Sequence, residues 1–359
     1  MTVTAPVERP LLPLPPQPPD VPWPTESWPT GPVPDGVALE PLLDAAFEDP
    51  ELATSYAVVV VQHGRLVAER YGGELVHWDR PAEPVGPDTR LLSWSMAKSV
   101  LHAAVGLLVG EGRMRPDDPS GVAAWQGDDD PRRDITLEHL LDMRDGLAWA
   151  EDYTDAGVSD VIEMLFGGGQ DDVAAFAADR ELAAAPGERF NYSSGTSNVV
   201  SSLVAGHVGR GEAYDDFLRA RLFGPIGMDS ARPKLDAAGT WMASSYVYAT
   251  ARDWARFGTL YLRDGTWDGR RLLPEGWVDH GRRMRSVDEE GDLYGAHWWG
   301  EGDDHGTFAA RGYEGQSILV CPALDLVVVR LGKTPEERKE AVVRWRRAVV
   351  AAFAAAAPG

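Results

Sequence analysis

Two runs rich in β-branched residues stand near opposite ends of this chain, and their separation decides what it can fold into. The first, SYAVVVVQHGRLVAERYGG (55–73), is an apolar run, a turn at His63-Gly64 and a second, alternating run: the pattern of a β-hairpin. The second lies in ARGYEGQSILVCPALDLVVVRLG (310–332). Helical spacing fills most of the rest. It appears in LEPLLDAAF (39–47), SVLHAAVGLLVGEG (99–112), TLEHLLDM (136–143), DVAAFAADREL (172–182), the block 247–280, and PEERKEAVVRWRRAVVAAFAAAA at the C-terminus. Strands from distant segments can bury their faces only by meeting in one sheet. The expected fold is therefore α+β: an antiparallel sheet built from N- and C-terminal strands, flanked by helices, with a mostly helical region inserted. The α/β part would span approximately 37–114 and 247–359, and the helical part approximately 115–246.

Residues 1–36 form a separate leader that carries 12 of the 27 prolines. Proline fixes φ and lacks an N–H, so this stretch is expected to run extended over the domain surface, with Trp23 and Trp28 as its anchors. The formal charge of −22 repels phosphate backbones and anionic lipid, which argues against nucleic-acid and membrane-surface partners. The start has no basic-then-apolar signal pattern, and no apolar run approaches the length of a membrane span, so the expected location is cytoplasmic. The single cysteine, Cys321, can form no disulfide within the chain. The eight histidines are scattered and the acidic clusters lack calcium-loop spacing, so neither a metal nor a cofactor is expected. No Gly-x-Ser-x-Gly elbow is present, which disfavours an α/β-hydrolase.

The informative tetrad is Ser95-Met96-Ala97-Lys98. Only 4 of the 34 basic residues are lysine, and 17 residues are serine. A Ser followed three positions later by Lys is expected about 0.2 times by chance in such a chain. Lys98 heads the apolar stretch 99–109, where a charge is costly unless paired or neutralised. On a helix beginning near Ser95 the spacing puts hydroxyl and amine on one face, with the hydroxyl at the positive helix end. Guanidinium does not lose its proton at usable pH, whereas a desolvated lysine can. Lysine therefore stands where proton transfer from a serine would need it. The alternative is a lysine snorkelling from a helix start.

The surrounding phrases resemble those of the serine β-lactamase and DD-peptidase superfamily. SWSMAKSVLHAAVGLLVGEG (93–112) is similar to its S-x-x-K nucleophile segment. In matching order follow ITLEHLLDMRDGL (135–147), APGERFNYSSGTSN (185–198) with a Tyr-x-Ser second motif, ARDWARFGTLYLRDGTW (251–267), RRLLPEGWV (270–278) and the third-motif strand in 310–332. The resemblance implies a β-lactamase/transpeptidase-like fold and a metal-free acyl-enzyme mechanism. It implies Ser95 as nucleophile and Lys98 as its proton partner, coupled to Tyr192, whose phenolate a neighbouring ammonium would favour. It implies that Ser194 orients Lys98 or a substrate polar group, and that Tyr313-Glu314-Gly315 is the third motif, with Gly315 allowing close approach. The N–H groups of Ser95 and Gln316 would form the oxyanion hole.

Relatives that recognise penicillin carry Lys and Thr in the third motif. An anionic Glu314 would repel the carboxylate they grip, although Arg311 is placed to offset it. The resemblance is strongest to the branch containing 6-aminohexanoate-dimer hydrolases and carboxylesterases. GLAWAEDYTD (146–155) is similar to that branch's loop with a tyrosine that assists the leaving nitrogen, here Tyr153. Glu151, Asp152 and Glu314 would draw in a substrate ammonium, and some of the 13 tryptophans, Trp94, Trp149, Trp298 and Trp299 among them, would line an apolar pocket. His102 reads as a hydrogen-bonded core residue. The expected activity is a serine hydrolase of a small linear amide or ester. The alternatives are a carboxylesterase without amidase activity and a non-catalytic peptide-binding or regulatory member. The expected partner is a small molecule; a homodimer is an open alternative.

Overall fold

The computed structural model describes residues 10–77 and 79–357. An antiparallel sheet of eight strands organises it: β1 (Thr54–Gln62), β2 (Arg65–Tyr71), β3 (Ser286–Val287), β4 (Leu293–Tyr294), β5 (Trp299–Gly300), β6 (Phe308–Gly312), β7 (Gln316–Cys321) and β8 (Leu326–Lys333). Their spatial order is β3-β4-β5-β6-β7-β8-β1-β2. The N-terminal hairpin thus joins the C-terminal strands along β1 and β8, with Val59 opposite Val329 on one side and Glu69 on the other. The expected α+β architecture is the observed one.

The unbroken AVVVV run follows from burial on both faces. Ala57, Val59 and Val61 enter one core, and Val58 and Val60 another. Of five longer helices, α1 (Glu40–Glu48), α2 (Met96–Gly110), α4 (Ala251–Leu262) and α5 (Lys339–Ala356) pack on the sheet, and α3 (Ser194–Val208) packs on α2 in the helical region. Helices α1 and α5 cover the Val58 face, where Leu43, Val342, Trp345 and Val349 meet Val60 and Val328. Helices α2 and α4 occupy the Val59 face. Every residue of α2 from Met96 to Leu108 is buried, because the inserted helical region closes over its far side. A helix apolar on all sides belongs in such a position.

Residues 15–28 run along α4 and its C-terminal end. Arg256 donates to the Pro24 carbonyl at 2.7 Å, and Arg263 donates to Gln17 Oε1 at 2.9 Å and the Pro15 carbonyl at 3.2 Å. Trp23 packs on Trp267 with ring centres 5.0 Å apart, and the Trp28 indole donates to the Arg252 carbonyl at 3.3 Å. Thr30 forms a parallel bridge with Leu66, while the Leu66 N–H donates to Pro29 at 2.8 Å. This contact covers part of the open edge of β2, a position that otherwise invites strand pairing between molecules. The block 247–280 is less uniformly helical than its spacing suggests. A short hairpin of Thr266–Trp267 and Arg270–Arg271 separates α4 from the helix Trp277–Arg282.

Candidate active site

Ser95 sits at the N-terminus of α2, immediately after Trp94, whose φ of 45° is left-handed. A bulky residue holds that conformation only where its surroundings enforce it. Here Ser93 does so: its N–H donates to Val247 O, and its Oγ accepts from Val247 N–H, both at 3.0 Å. The sharp turn aims the Ser95 hydroxyl into a cleft between the sheet and the helical region. One helical turn on, Lys98 is 1% exposed, and its Nζ lies 3.0 Å from each of Ser95 Oγ, Ser194 Oγ and Ser244 O. Burial pushes its pKa down from 10.5 to about 8, against the opposing pull of Glu151.

The hydrogen bonds around Lys98 have only one consistent arrangement when the amine is neutral. The Ser244 carbonyl can only accept. Ser194 has committed its own hydrogen to Glu151 Oε1 at 2.5 Å, so towards Lys98 it also accepts. The two N–H bonds of the amine are thereby used, and its lone pair faces the Ser95 hydroxyl. Glu151 is the hub of this wall. Besides Ser194 Oγ it takes the Ser194 N–H at 2.8 Å, the Tyr153 hydroxyl at 2.8 Å and the Trp149 indole N–H at 2.5 Å. The sequence offered Glu151 only as one of three acids drawing in a substrate ammonium. Its spacing of two from Tyr153 in an extended segment was the available signal, since alternate residues share a side.

Tyr192 precedes Ser193, which caps α3 by accepting from the Thr196 N–H at 2.9 Å. Lys98 Nζ lies 4.8 Å from the centre of the Tyr192 ring. The surroundings of Tyr192 oppose the expected pull towards phenolate. Burial first, then the Glu151 charge, raise the Tyr192 pKa above its ordinary value, and hydrogen bonding to Ser95 opposes them only in part. Tyr153 is likewise pushed up by burial and Glu151. Burial and the Glu151 charge thus favour the protonated form of both phenols, and the amine beside the Ser95 hydroxyl is that of Lys98.

The turn joining β6 to β7 supplies the opposite wall. Gly315, expected to let the strand approach substrate closely, lines the cleft, and the tightest backbone approach to Ser95 is made by Gly312. A Cβ added at Gly312 would lie 2.4 Å from Ser93 O and 3.2 Å from Ser95 N, while one at Gly315 would meet the Arg330 guanidinium behind the strand. Gly315 serves the turn itself, at φ 80°. We expect Gly312→Ala to push β6 away from Ser95 and lower turnover about 100-fold, measured as kcat on purified variant that retains a cooperative thermal transition. Glu314, at φ 62°, accepts from the Trp94 indole at 3.1 Å and lies 4.0 Å from the exposed Lys333 ammonium. Gln316 begins β7, and its side chain brackets Gly332 through Oε1 and Nε2, which locks the turn to β8. Arg311 does not offset Glu314. It donates to Asp292 at 2.7 Å and to Glu301 at 2.8 Å.

Ser95, Tyr153, Tyr192, Trp299, Tyr313 and Gln316 line a cleft of about 680 Å³. Sequence-predicted residues from five separate segments thus converge on one cavity. Of the tryptophans singled out, Trp299 lines the cleft, Trp94 and Trp149 hold its carboxylates, and Trp298 is core. His102 is fully buried against Tyr261 and His280, away from Ser95's partners. At the outer rim Asp288, Glu290 and Asp292 bring carboxylate oxygens within 4.8 Å of one another, yet Lys339 binds Glu290 and Arg311 binds Asp292. Two of those three groups are therefore already neutralised.

The beta-lactamase family profile matches residues 44–353. The chain belongs to the beta-lactamase family. Within it, the chain is 30% identical over 273 residues to the 6-aminohexanoate-dimer hydrolase of Paenarthrobacter ureafaciens, covering 70% of this chain and 68% of that protein. In fold it is similar to a Bacillus anthracis protein provisionally named a 6-aminohexanoate-dimer hydrolase (TM-score 0.73, 21% identity, 91% of this chain and 87% of that one). It is also similar to EstCE1, a hydrolase with promiscuous acyltransferase activity (TM-score 0.67, 17% identity, 88% of this chain and 97% of that one). The protein is a hydrolase of the beta-lactamase fold. Among the described residues no helix is long and apolar enough to cross a membrane.

Proposed function

We propose that this beta-lactamase-family protein cleaves small linear amides or esters through an acyl-enzyme on Ser95. The observation that carries this reading is Lys98: a buried amine with a pKa near 8, held 3.0 Å from a hydroxyl at a helix N-terminus. Ser95 Oγ attacks the substrate carbonyl as its proton passes to Lys98 Nζ. The resulting oxyanion is received by the N–H groups of Ser95 and Gln316. Collapse breaks the bond to the leaving nitrogen or oxygen. That atom takes a proton from the Tyr192 or Tyr153 phenol, which Lys98 restores. Water then attacks the acyl-Ser95 ester with Lys98 again accepting a proton, releasing the acid and regenerating the hydroxyl.

The walls favour neutral or cationic substrates. Glu151, Asp152 and Glu314 line the cleft, where carboxylates outnumber cations, and the Arg311 guanidinium is held by Asp292 and Glu301. A substrate carboxylate at the third motif would meet the Glu314 charge, to which the Lys333 ammonium 4.0 Å away is already drawn, so nitrocefin should turn over far more slowly than an ester. Treatment with p-nitrophenyl butyrate should give a burst of nitrophenol and a butyryl adduct on Ser95 in peptide mass spectrometry. Full turnover by Ser95→Ala, or no labelling by either that ester or a fluorophosphonate, would reject the reading in favour of a non-catalytic role. Parallel rates on the 6-aminohexanoate dimer and the butyrate ester separate amidase from pure esterase, and the 30% identity to the Paenarthrobacter enzyme favours the amide.

A further inference from the structure

The Ser244 carbonyl is one of the two acceptors that turn the Lys98 lone pair towards Ser95, yet no regular ladder sets its orientation. Ser244 lies in a turn between the Trp241 bridge and the strand Val247–Ala249. What grips it is Asn198, a fully buried residue one turn into α3. The Ser244 N–H donates to Asn198 Oδ1 at 3.1 Å, and Asn198 Nδ2 donates to Ser244 Oγ at 3.2 Å. Because a backbone N–H can only donate, the amide oxygen must face it, which fixes the carboxamide's direction. Nδ2 is further held by Met164 Sδ at 3.4 Å, and Ser244 Oγ is within 3.0 Å of Ser245 Oγ. A buried carboxamide thus brackets one residue from both sides, and the only group that residue offers to the cleft machinery is its carbonyl, 3.0 Å from Lys98 Nζ.

We propose that Asn198 is a positioning residue: by clamping Ser244 it aims that carbonyl at Lys98 and so holds the amine's lone pair on the Ser95 hydroxyl. The inference rests on the acyl-enzyme reading and deepens it. Asn198→Ala releases the clamp and lets the amine rotate, while the substrate walls stay intact. Asn198→Asp keeps both contacts, since the Ser244 N–H and O–H can each donate to a carboxylate, but it adds a negative charge that favours the ammonium form of Lys98.

The test is p-nitrophenyl butyrate kinetics on the full chain, with kcat expressed per Ser95 site titrated by the burst. For Asn198→Ala we expect kcat per site to fall about 10- to 100-fold with KM within about twofold, as for a misaligned base. For Asn198→Asp we expect kcat well above that of the alanine variant and an acid limb of kcat/KM moved to higher pH. Wild-type kcat per titrated site in Asn198→Ala, or a loss confined to KM, overturns the proposal. Should the alanine variant not fold, the aspartate variant decides: an unmoved limb overturns it. A wild-type protein that forms no Ser95 adduct removes the acyl-enzyme reading, and the role of Asn198 with it. A normal wild-type burst beside unaffected variants removes the role of Asn198 alone.

Discussion

Replacing Lys98 by arginine or methionine will lower kcat/KM for p-nitrophenyl butyrate by at least about 1000-fold, the upper range for loss of a general base. Arginine keeps the charge but cannot surrender it, and methionine keeps the length but offers no proton acceptor. The wild-type profile should carry the signature of the same group. Ser95 needs the neutral amine, so kcat/KM should rise with pH and level off above about 8, the value to which burial brings Lys98. Stability supplies an independent check. The folded-state pKa lies below the ordinary 10.5, so between about 8 and 10.5 the unfolded chain binds the extra proton. Stability contributed by this group therefore rises with pH across that window and is lowest below it. The free energy of unfolding of the wild type, measured relative to Lys98→Met, should improve by about 3 kcal/mol from pH 7 to pH 10.5. A difference that is flat in pH would mean that Lys98 is not desolvated as the structure has it.

The parts of this molecule that were legible in its sequence are those where one physical demand acts on many residues or on a rare one. The hairpin at 55–73 and the C-terminal strands announce themselves by composition, and the sheet that joins them follows from the need to bury both faces of the AVVVV run. Lys98 was legible because lysine is scarce here and this one heads an apolar helix, and the structure buries it against Ser95. The three strands β3, β4 and β5 were not visible, since two residues apiece leave no periodicity to read. In the cleft, Ser244 acts through its backbone carbonyl, which no side-chain pattern encodes. Gly312 and Gly315 look alike in sequence; only the approach of Ser93 and Ser95 to one of them tells which glycine faces Ser95. Glu151 was visible as a charge, but its four contacts depend on how its own loop meets α3.

Glu151→Gln will separate the charge of that hub from its geometry. The carboxylate raises the Lys98 pKa and also raises that of Tyr192. Removing the charge leaves desolvation unopposed at Lys98, so the acid limb of kcat/KM should move to lower pH than in the wild type. Activity should nonetheless fall. A carboxylate accepts from the Ser194 N–H and hydroxyl, the Tyr153 hydroxyl and the Trp149 indole together. A carboxamide has one oxygen for that work and turns two hydrogens on neighbours that are themselves donors. Ser194 is then free to direct its hydrogen at Lys98, which would occupy the lone pair meant for Ser95. We expect a loss in kcat of about 100-fold, comparable to other charged hydrogen-bonding groups removed from buried sites, with the plateau of the profile lowered while its limb shifts acidward. Those two movements oppose each other below pH 8, so the variant's deficit should be smallest in the most acidic buffer that still supports folding. A uniform deficit at every pH would mean that Glu151 orients Ser194 and Tyr153 without its charge being felt at Lys98.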